Sequence, residues 1–257
     1  MIFRDTAKGT SLWLGRRCGI AEPPASFEGD TMPATPLPAS GDAPRPAKMC
    51  DASGMAMIHR FFRRGFGEAP GLVCGIRPGD AGHAEAVAVH LDTLSVALHA
   101  HHEGEDERLW STLDERSPAC GPHVARMKEQ HQAMLAPLND LDAALPTWRT
   151  TAGDPAAVLA ALEGINAALA VHLPDEETTI VPVMEHTLTQ KEVDWFSTHG
   201  RAATPKGQTW NMLGDIMAAQ PDAGTEFLHE LPPPARLLWR WSGKGKYERN
   251  RAVLEGR

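Results

Sequence analysis

The sequence has little of what several common protein classes require. It holds four cysteines in 257 residues, and none of them forms a C-x-x-C pair. This favours a reducing compartment and argues against a thiolate metal site. The net charge of -8 argues against general nucleic-acid binding. We see no apolar run that approaches the roughly 20 residues needed to cross a bilayer.

Two metalloprotein signatures are also missing. The H-E-x-x-H motif of zinc peptidases does not occur. The paired Glu-x-x-His motifs of ferritin-like di-iron bundles are reduced to one copy, Glu226 to His229, near the C-terminus. The first residues lack the apolar core of a secretion signal, so we expect a cytoplasmic protein.

Composition divides the chain into three parts. Residues 1–48 are rich in Pro, Ala, Gly and Ser and show no helical or strand period, which predicts disorder. Residues 49–190 carry long patterns with a helical period. Residues 191–257 carry shorter helical patterns and a basic tail.

The middle part predicts four helices, at about 51–64, 81–115, 122–145 and 154–186. Gly65 and Gly67 are expected to end the first helix, and residues 67–80 to form a loop. Asp154 and Pro155 are typical of a helix start, while Pro174 predicts a local bend. Because the other connections are short and no strand is evident, we predict an all-α protein. Its core is an up-down-up-down four-helix bundle, with a disordered N-terminal segment and a helical C-terminal extension.

An internal repeat is the most specific signal in the chain. A lone histidine is followed, 42 or 41 residues later, by a His-x-x-x-Glu pair. The pattern occurs twice, as His59 with His101 and Glu105, and as His131 with His172 and Glu176.

Helix geometry gives the repeat a chemical meaning. Residues four apart lie on one helix face, about 6 Å apart along the axis, so each pair can reach one metal ion. The apolar stripes of the second and fourth helices lead into these pairs, which places two carboxylates in the core. A buried carboxylate without a partner is costly, and a cation between the helices removes that cost.

Other interpretations of these residues stay open. The lone histidines could be hydrogen-bonded core residues, and the glutamates could pair with arginines between helices. His102 with Asp106 is an alternative register, although it points away from the Leu94–Leu98 stripe. Asp106 and Glu177 are also candidates to accept hydrogen bonds from ligand imidazoles.

These motifs resemble the bacterial HHE cation-binding form of the hemerythrin family over about residues 49–190. The resemblance rests on His59, HHEGEDERLW, His131 and HLPDEETTIVPVM. The tail LPPPARLLWRWSGKGKYERN is similar to that of actinobacterial members.

The resemblance implies a non-haem di-iron centre with two iron ions inside the bundle. It implies metal ligation by His59, His101, Glu105, His131, His172 and Glu176, with dioxygen, peroxide or nitric oxide as the small ligand. Mixed imidazole and carboxylate donors suit Fe, Mn or Zn. Oxygen carriers of the family have a second histidine one turn from the lone histidine of the third helix. In this chain the neighbouring positions that we expect to face inward hold Met127 and Leu135. Four histidines then leave a coordination position open, which favours redox chemistry, peroxide handling or sensing over oxygen storage.

Three functions follow as hypotheses. The chain could bind or sense a small oxidant at the di-iron centre, consume peroxide or nitric oxide as an oxidoreductase, or serve as a metal-stabilised interaction bundle. Whether it is an enzyme stays open, and no protein partner is indicated. In the tail we expect Leu237, Leu238, Trp239 and Trp241 to pack on the bundle with a solvated basic face, or the tail to meet a membrane surface or an acidic partner.

Overall fold

The computed structural model describes residues 47–257, so the predicted disorder of residues 1–48 lies almost wholly outside the described residues. Long helices dominate the described chain, and no strand occurs within it. The bundle consists of α1 (Ser53–Cys74), α2 (Ala81–Gly104), a π-helical turn (Glu105–Leu109) leading into α3 (Trp110–Arg116), α4 (Gly121–Thr151), α5 (Ala156–Thr179) and α6 (Val181–Thr187).

The long helices form a closed, antiparallel ring. α1 packs on α2 and α5, and α4 packs on the same two helices. His59 and His131 lie early in α1 and α4, whereas His101 and His172 lie late in α2 and α5. These four residues meet at one level, so the helices must alternate in direction. This confirms the predicted all-α, up-down-up-down bundle.

The core consists of two apolar clusters separated by a polar layer. The larger cluster includes Phe62, Leu94 and Leu138, and the smaller one includes Trp110 and Met127. Along α4, His131 falls between Met127 of the smaller cluster and Met134 of the larger one. The same order holds on the other long helices, so the histidines and glutamates of the repeat occupy a layer with apolar packing on both sides.

The prediction that α1 ends at Gly65 and Gly67 is wrong. The helix continues to Cys74, so the connection to α2 shrinks to residues 75–80. A Cβ added at Gly65 would lie 2.5 Å from Cδ2 of Leu94. This glycine therefore allows α1 to approach α2 closely, and the packing outweighs the cost of about 1 kcal/mol that glycine brings to a helix interior.

The fourth predicted helix is present with one interruption, at Ile180, and Pro174 lies inside α5. The Asp154 carboxylate accepts a hydrogen bond from the Ala156 backbone N–H at 3.0 Å, as expected at a helix start. The stretch Ala156–Thr187 is long and apolar enough to cross a membrane by length and composition alone. In the bundle it buries Ile165 in the core and Glu176 in the polar layer, so we interpret it as a core helix.

The C-terminal extension is helical and continuous with the bundle. It consists of α7 (Gln190–Ala202), α8 (Thr209–Ala218), α9 (Thr225–Glu230), α10 (Pro233–Leu238), a second π-helical turn (Trp239–Gly243) and α11 (Lys244–Leu254). Thr189 and Glu192 cap the start of α7 reciprocally. Met212 of α8 and Leu254 of α11 belong to the larger apolar cluster of the bundle.

The expectation that four apolar residues of the tail pack on the bundle is not met. Leu237, Leu238 and Trp241 are exposed. Trp239 is 5% exposed, but it packs against Trp210 of α8 and Tyr247 of α11, within the C-terminal extension itself. A second correction concerns α4, where Leu135 is 38% exposed and Met134 points inward instead.

Candidate metal centre

Seven donor side chains converge in the polar layer as two groups. In each group the candidate donor atoms lie within 4.8 Å of one another. The first group is His102, Glu105, His131 and His172, and the second is His59, His101 and Glu176. All six residues implied by the resemblance are therefore brought together, and His102 joins them.

The two glutamates lie between the groups. Oε1 of Glu105 is 3.4 Å from Nε2 of His101, and its Oε2 is 3.5 Å from Nε2 of His131. Oε2 of Glu176 is 3.3 Å from Nε2 of His59 and 3.5 Å from Nε2 of His172. Each carboxylate thus faces one imidazole of each group, which is the position that a bridging ligand requires.

Most of the donor atoms are buried without a hydrogen-bond partner, whereas Nε2 of His59 and Nε2 of His101 lie 3.2 Å apart. Glu105 and Glu176 are both 0% exposed, and neither oxygen of either carboxylate accepts a hydrogen bond within the described chain. The Nε2 atoms of His102, His131 and His172 are also buried without a partner. Orphaned atoms of this kind are rare in a folded protein, and here they point at one another. A cation would satisfy them together.

The pKa shifts of Glu105 and Glu176 also indicate that the site requires a cation. Burial, together with the neighbouring Glu176, raises the pKa of Glu105 well above its usual range. Burial also acts against ionisation of Glu176, but the close approach and the charge of His59, at 3.3 Å, outweigh it and hold the pKa of Glu176 below its usual range. Without a cation, the pair cannot readily hold two negative charges at this depth.

Burial also keeps most of the imidazoles neutral, as metal ligation requires. It lowers the pKa of His101 and of His102 well below the ordinary value, and neighbouring histidines add to the effect. Burial likewise lowers the pKa of His172 to about 4. For His59, burial acts the same way, but Glu176 and Glu177 outweigh it and raise the pKa.

Three of the ligand imidazoles have their second nitrogen held in place. Nδ1 of His131 lies 2.9 Å from Oδ1 of Asp106, and Nδ1 of His59 lies 3.0 Å from Oε1 of Glu177. The structure therefore places both carboxylates where the sequence suggested them. Nδ1 of His172 lies 3.0 Å from Oε1 of Gln130, a contact the sequence did not indicate. These contacts leave Nε2 of each ring directed at the centre.

The supporting residues are themselves anchored. Trp110 donates its indole N–H to Asp106 at 2.6 Å, and Arg63 donates to Glu177 at 2.8 Å. On the third side, the amide of Gln130 donates to Asp175, which also accepts two hydrogen bonds from Arg126, each at 2.6 Å. Each ligand ring is thus oriented through a chain of contacts that reaches the surface of the bundle.

Sequence reasoning assigned a single inward histidine to the His101–His102 pair. Adjacent helical residues point about 100° apart, so only one was expected to face the core. In the structure the two residues face different donor groups, and His102 stacks on His131 with ring centroids 4.1 Å apart. The π-helical turn begins three residues later, at Glu105. Such turns occur frequently at functional sites, but no sequence signal marked this one.

Helix α7 packs on the end of α2 and on the π-helical turn, beside the donor residues. A Cβ added at Gly104 would lie 3.2 Å from His199 and 3.6 Å from both Phe196 and Trp195. Arg108, within the turn, lies over the Trp195 ring at 4.0 Å. The first helix of the C-terminal extension therefore packs directly next to the stretch that carries His101, His102 and Glu105.

The arrangement fits a site for two divalent or trivalent cations. Its donors are imidazole nitrogens and carboxylate oxygens, which suit Fe, Mn or Zn. The alternative that an arginine pairs with these glutamates is not realised, because within residues 47–257 the ion-pair contacts of Glu105 and Glu176 involve only histidines.

Comparison with known proteins agrees with the geometry. The model of the hemerythrin HHE cation-binding domain matches residues 53–184, which span all seven donor residues. No curated protein and no solved structure matches the chain.

Proposed function

Because the chain belongs to the hemerythrin family of HHE cation-binding domains, we propose that it holds a non-haem di-iron centre that binds or senses dioxygen, peroxide or nitric oxide. One observation supports this most directly. Two fully buried carboxylates, with no hydrogen bond to any described residue, each lie within 3.5 Å of imidazoles from both donor groups.

In this proposal each residue has a defined part. Glu105 and Glu176 connect the two ions. His59 and His101 serve one of them, while His102, His131 and His172 serve the other. Asp106, Glu177 and Gln130 fix the tautomer and orientation of three rings by accepting at Nδ1. Two iron ions would supply redox chemistry and sites for a small ligand, and the apolar clusters with α7 would keep bulk water away.

The cytoplasmic location is part of the same proposal. Cys50 and Cys120 are buried as free thiols, which a reducing compartment would preserve. Binding or sensing is favoured over turnover because no tyrosine lies beside the centre to donate a proton. Tyr247, the one tyrosine of the chain, packs against Gly214 in the C-terminal extension instead.

The experiment combines metal analysis with spectroscopy on the full chain. We expect two iron ions per chain by mass spectrometry, and a visible absorption band that forms when the reduced protein meets dioxygen, peroxide or nitric oxide. A band that reverses when the ligand is removed supports binding or sensing. Sustained consumption of peroxide or nitric oxide assigns an oxidoreductase instead. A folded chain that takes up no iron but binds zinc leaves the metal-stabilised interaction bundle.

The variant His102→Gln tests the residue that the sequence did not single out. If His102 is a ligand, the variant should lose iron from the first donor group and change the visible band. The matched control is His99→Gln, because His99 lies on the same helix but contacts Asp142 at 3.3 Å rather than the donor groups. Identical iron content and spectrum in both variants would exclude His102 from the ligand set.

A further inference from the structure

The C-terminal segment presents an apolar surface to solvent, formed by Leu237, Leu238 and Trp241. These residues are 67%, 48% and 84% exposed. They stand at positions i, i+1 and i+4, which lie on one side of a helix. A cluster of this kind is unusual on a protein surface and marks a place where something binds.

The segment that carries this surface is firmly held, so its exposure does not come from loose packing. A Cβ added at Gly243 would lie 2.6 Å from Trp210, and one added at Gly214 would lie 2.3 Å from Tyr247. At both positions the absence of a side chain on glycine allows close packing, so the inner face of the segment is held firmly against α8. Arg251 fixes the far end of α11 through two hydrogen bonds to Glu68, at 2.5 and 3.0 Å.

Basic side chains surround the apolar surface. Arg240, Lys244, Lys246 and Arg249 are exposed, and the one acidic residue among them, Glu248, lies 3.8 Å from Lys244 in a solvent-exposed pair. Exposed pairs of this kind contribute little. The segment is therefore locally cationic on a chain whose net charge is -8.

We propose that Leu237, Leu238 and Trp241, with the basic residues around them, bind the surface of an anionic lipid bilayer. An occupant must be both apolar and negatively charged to match this surface. The boundary between acyl chains and anionic headgroups has both properties, and tryptophan is enriched at that depth. The segment would lie on the membrane without crossing it, and the proposal does not depend on which metal the bundle holds.

The test is co-sedimentation of the full chain with vesicles. We expect binding to vesicles of phosphatidylcholine with phosphatidylglycerol, no binding to phosphatidylcholine alone, and weaker binding as salt is raised. The double variant Leu237→Ser/Trp241→Ser should lose binding. Its matched control is Val253→Ser, which changes another exposed apolar residue of the same C-terminal segment, 48% exposed, outside the surface.

A second pair of variants tests the charge. Each basic residue near an anionic surface is worth about 1 kcal/mol, so Arg240→Gln/Lys244→Gln should weaken binding about 30-fold. Lys191→Gln/Lys206→Gln removes the same charge from exposed positions elsewhere and should bind normally. Circular dichroism and metal content confirm that each variant is folded.

Three outcomes would overturn the proposal. The first is that the chain binds neither kind of vesicle. The second is that it binds poly-glutamate, with a dependence on Arg240 and Lys244 but none on Trp241, which would assign an acidic protein partner. The third is a dimer that Trp241→Ser dissociates, without any lipid binding, which would assign the surface to a second copy of the chain.

Discussion

Two buried clusters of charged residues lie at different levels of this bundle, and they solve the same problem in opposite ways. At the metal centre, Glu105 and Glu176 face only histidines. At the other level, Glu68 and Asp215 face Arg251, at 2.5 and 3.9 Å, with His90 between them. One cluster contains its own counter-ion and the other does not. Missing charge balance, rather than burial of polar groups as such, therefore identifies the candidate ligand site.

The largest effect should come from removing a carboxylate at the metal centre. In Glu105→Gln the proposed connection between the two ions is lost, so iron content should fall from about two per chain towards none. The metal-free variant should be at least as stable as the metal-free parent, because an amide replaces a buried carboxyl that has no partner. Metal analysis and urea unfolding measure the two quantities. Glu103→Gln is the control, because this neighbour is exposed.

The converse should hold for the second cluster. Arg251→Met leaves Asp215 without its ion pair and Glu68 with Arg64 alone, at 3.9 Å, and breaking a buried pair of this kind costs about 3–5 kcal/mol. We expect about 3 kcal/mol by urea unfolding, because the Glu68 side chain is 26% exposed. Iron content should not change. If this variant lost as much iron as Glu105→Gln, the two clusters would be coupled and could not be treated as independent.

The pH dependence of stability sharpens the same contrast. Burial raises the pKa of Asp215 to about 6 and lowers that of His90 to about 4. Glu68 and Arg64 of α1 and Tyr247 and Arg251 of α11 face the same pair. Asp215 binds its proton more tightly in the folded state, so its contribution falls as pH rises through about 6. His90 binds its proton less tightly when folded, so its contribution falls as pH drops from about 6.5 towards 4.

In the parent chain the pH-dependent contributions of Asp215 and His90 to stability nearly cancel. A variant of either residue reveals the contribution of the other. In His90→Gln, stability should rise as pH falls from about 6 to 4, because only Asp215 remains. In Asp215→Asn, stability should fall over the same range. The free energy of unfolding should diverge by about 3 kcal/mol per variant at most, since one pKa unit corresponds to about 1.36 kcal/mol. Parallel pH profiles of the two variants would contradict the assignment.

A smaller effect is expected from residues that hold the ligand rings. Asp106→Asn keeps the shape but weakens the acceptor for Nδ1 of His131, so metal affinity should fall about 10- to 100-fold. Glu177→Gln should act similarly through His59. Metal competition with a chelator measures both. Asp114→Asn serves as control, because Asp114 is an exposed partner of Lys128. An unchanged affinity in both variants would mean that the rings are held by packing alone.

The sequence was sufficient for the bundle and for most of the centre, because both depend on local spacing. The repeat of His-x-x-x-Glu fixed which faces converge, and Asp106 and Glu177 followed as neighbours in the chain. Gln130 and His102 depended on contacts between helices. The spacing of α4 indicated Leu135 as an inward residue, and packing between the helices selects Met134 instead.

The tertiary contacts of glycines explain other misses. Gly65 reads as a helix stop, but it is the place where α1 meets Leu94. No sequence pattern indicated a packing role for Gly214 or Gly243, although Tyr247 packs closely on the first and Trp210 on the second. In the tail, four apolar residues in five positions could not all face inward, and the sequence did not indicate that Trp239 alone would be buried, against α8 and α11.

The glycine at position 104 has a consequence for how this protein can be dissected. Its missing side chain lets α7 pack against the helical stretch that carries three of the seven donors, His101, His102 and Glu105, and Met212 and Leu254 add to the larger apolar cluster from beyond α7. A fragment cut to residues 53–184 would keep every donor but would lose the contacts of α7 with Gly104 and part of the larger apolar cluster. Experiments on that fragment would therefore examine a destabilised, aggregation-prone protein, so metal binding should be measured on the intact chain.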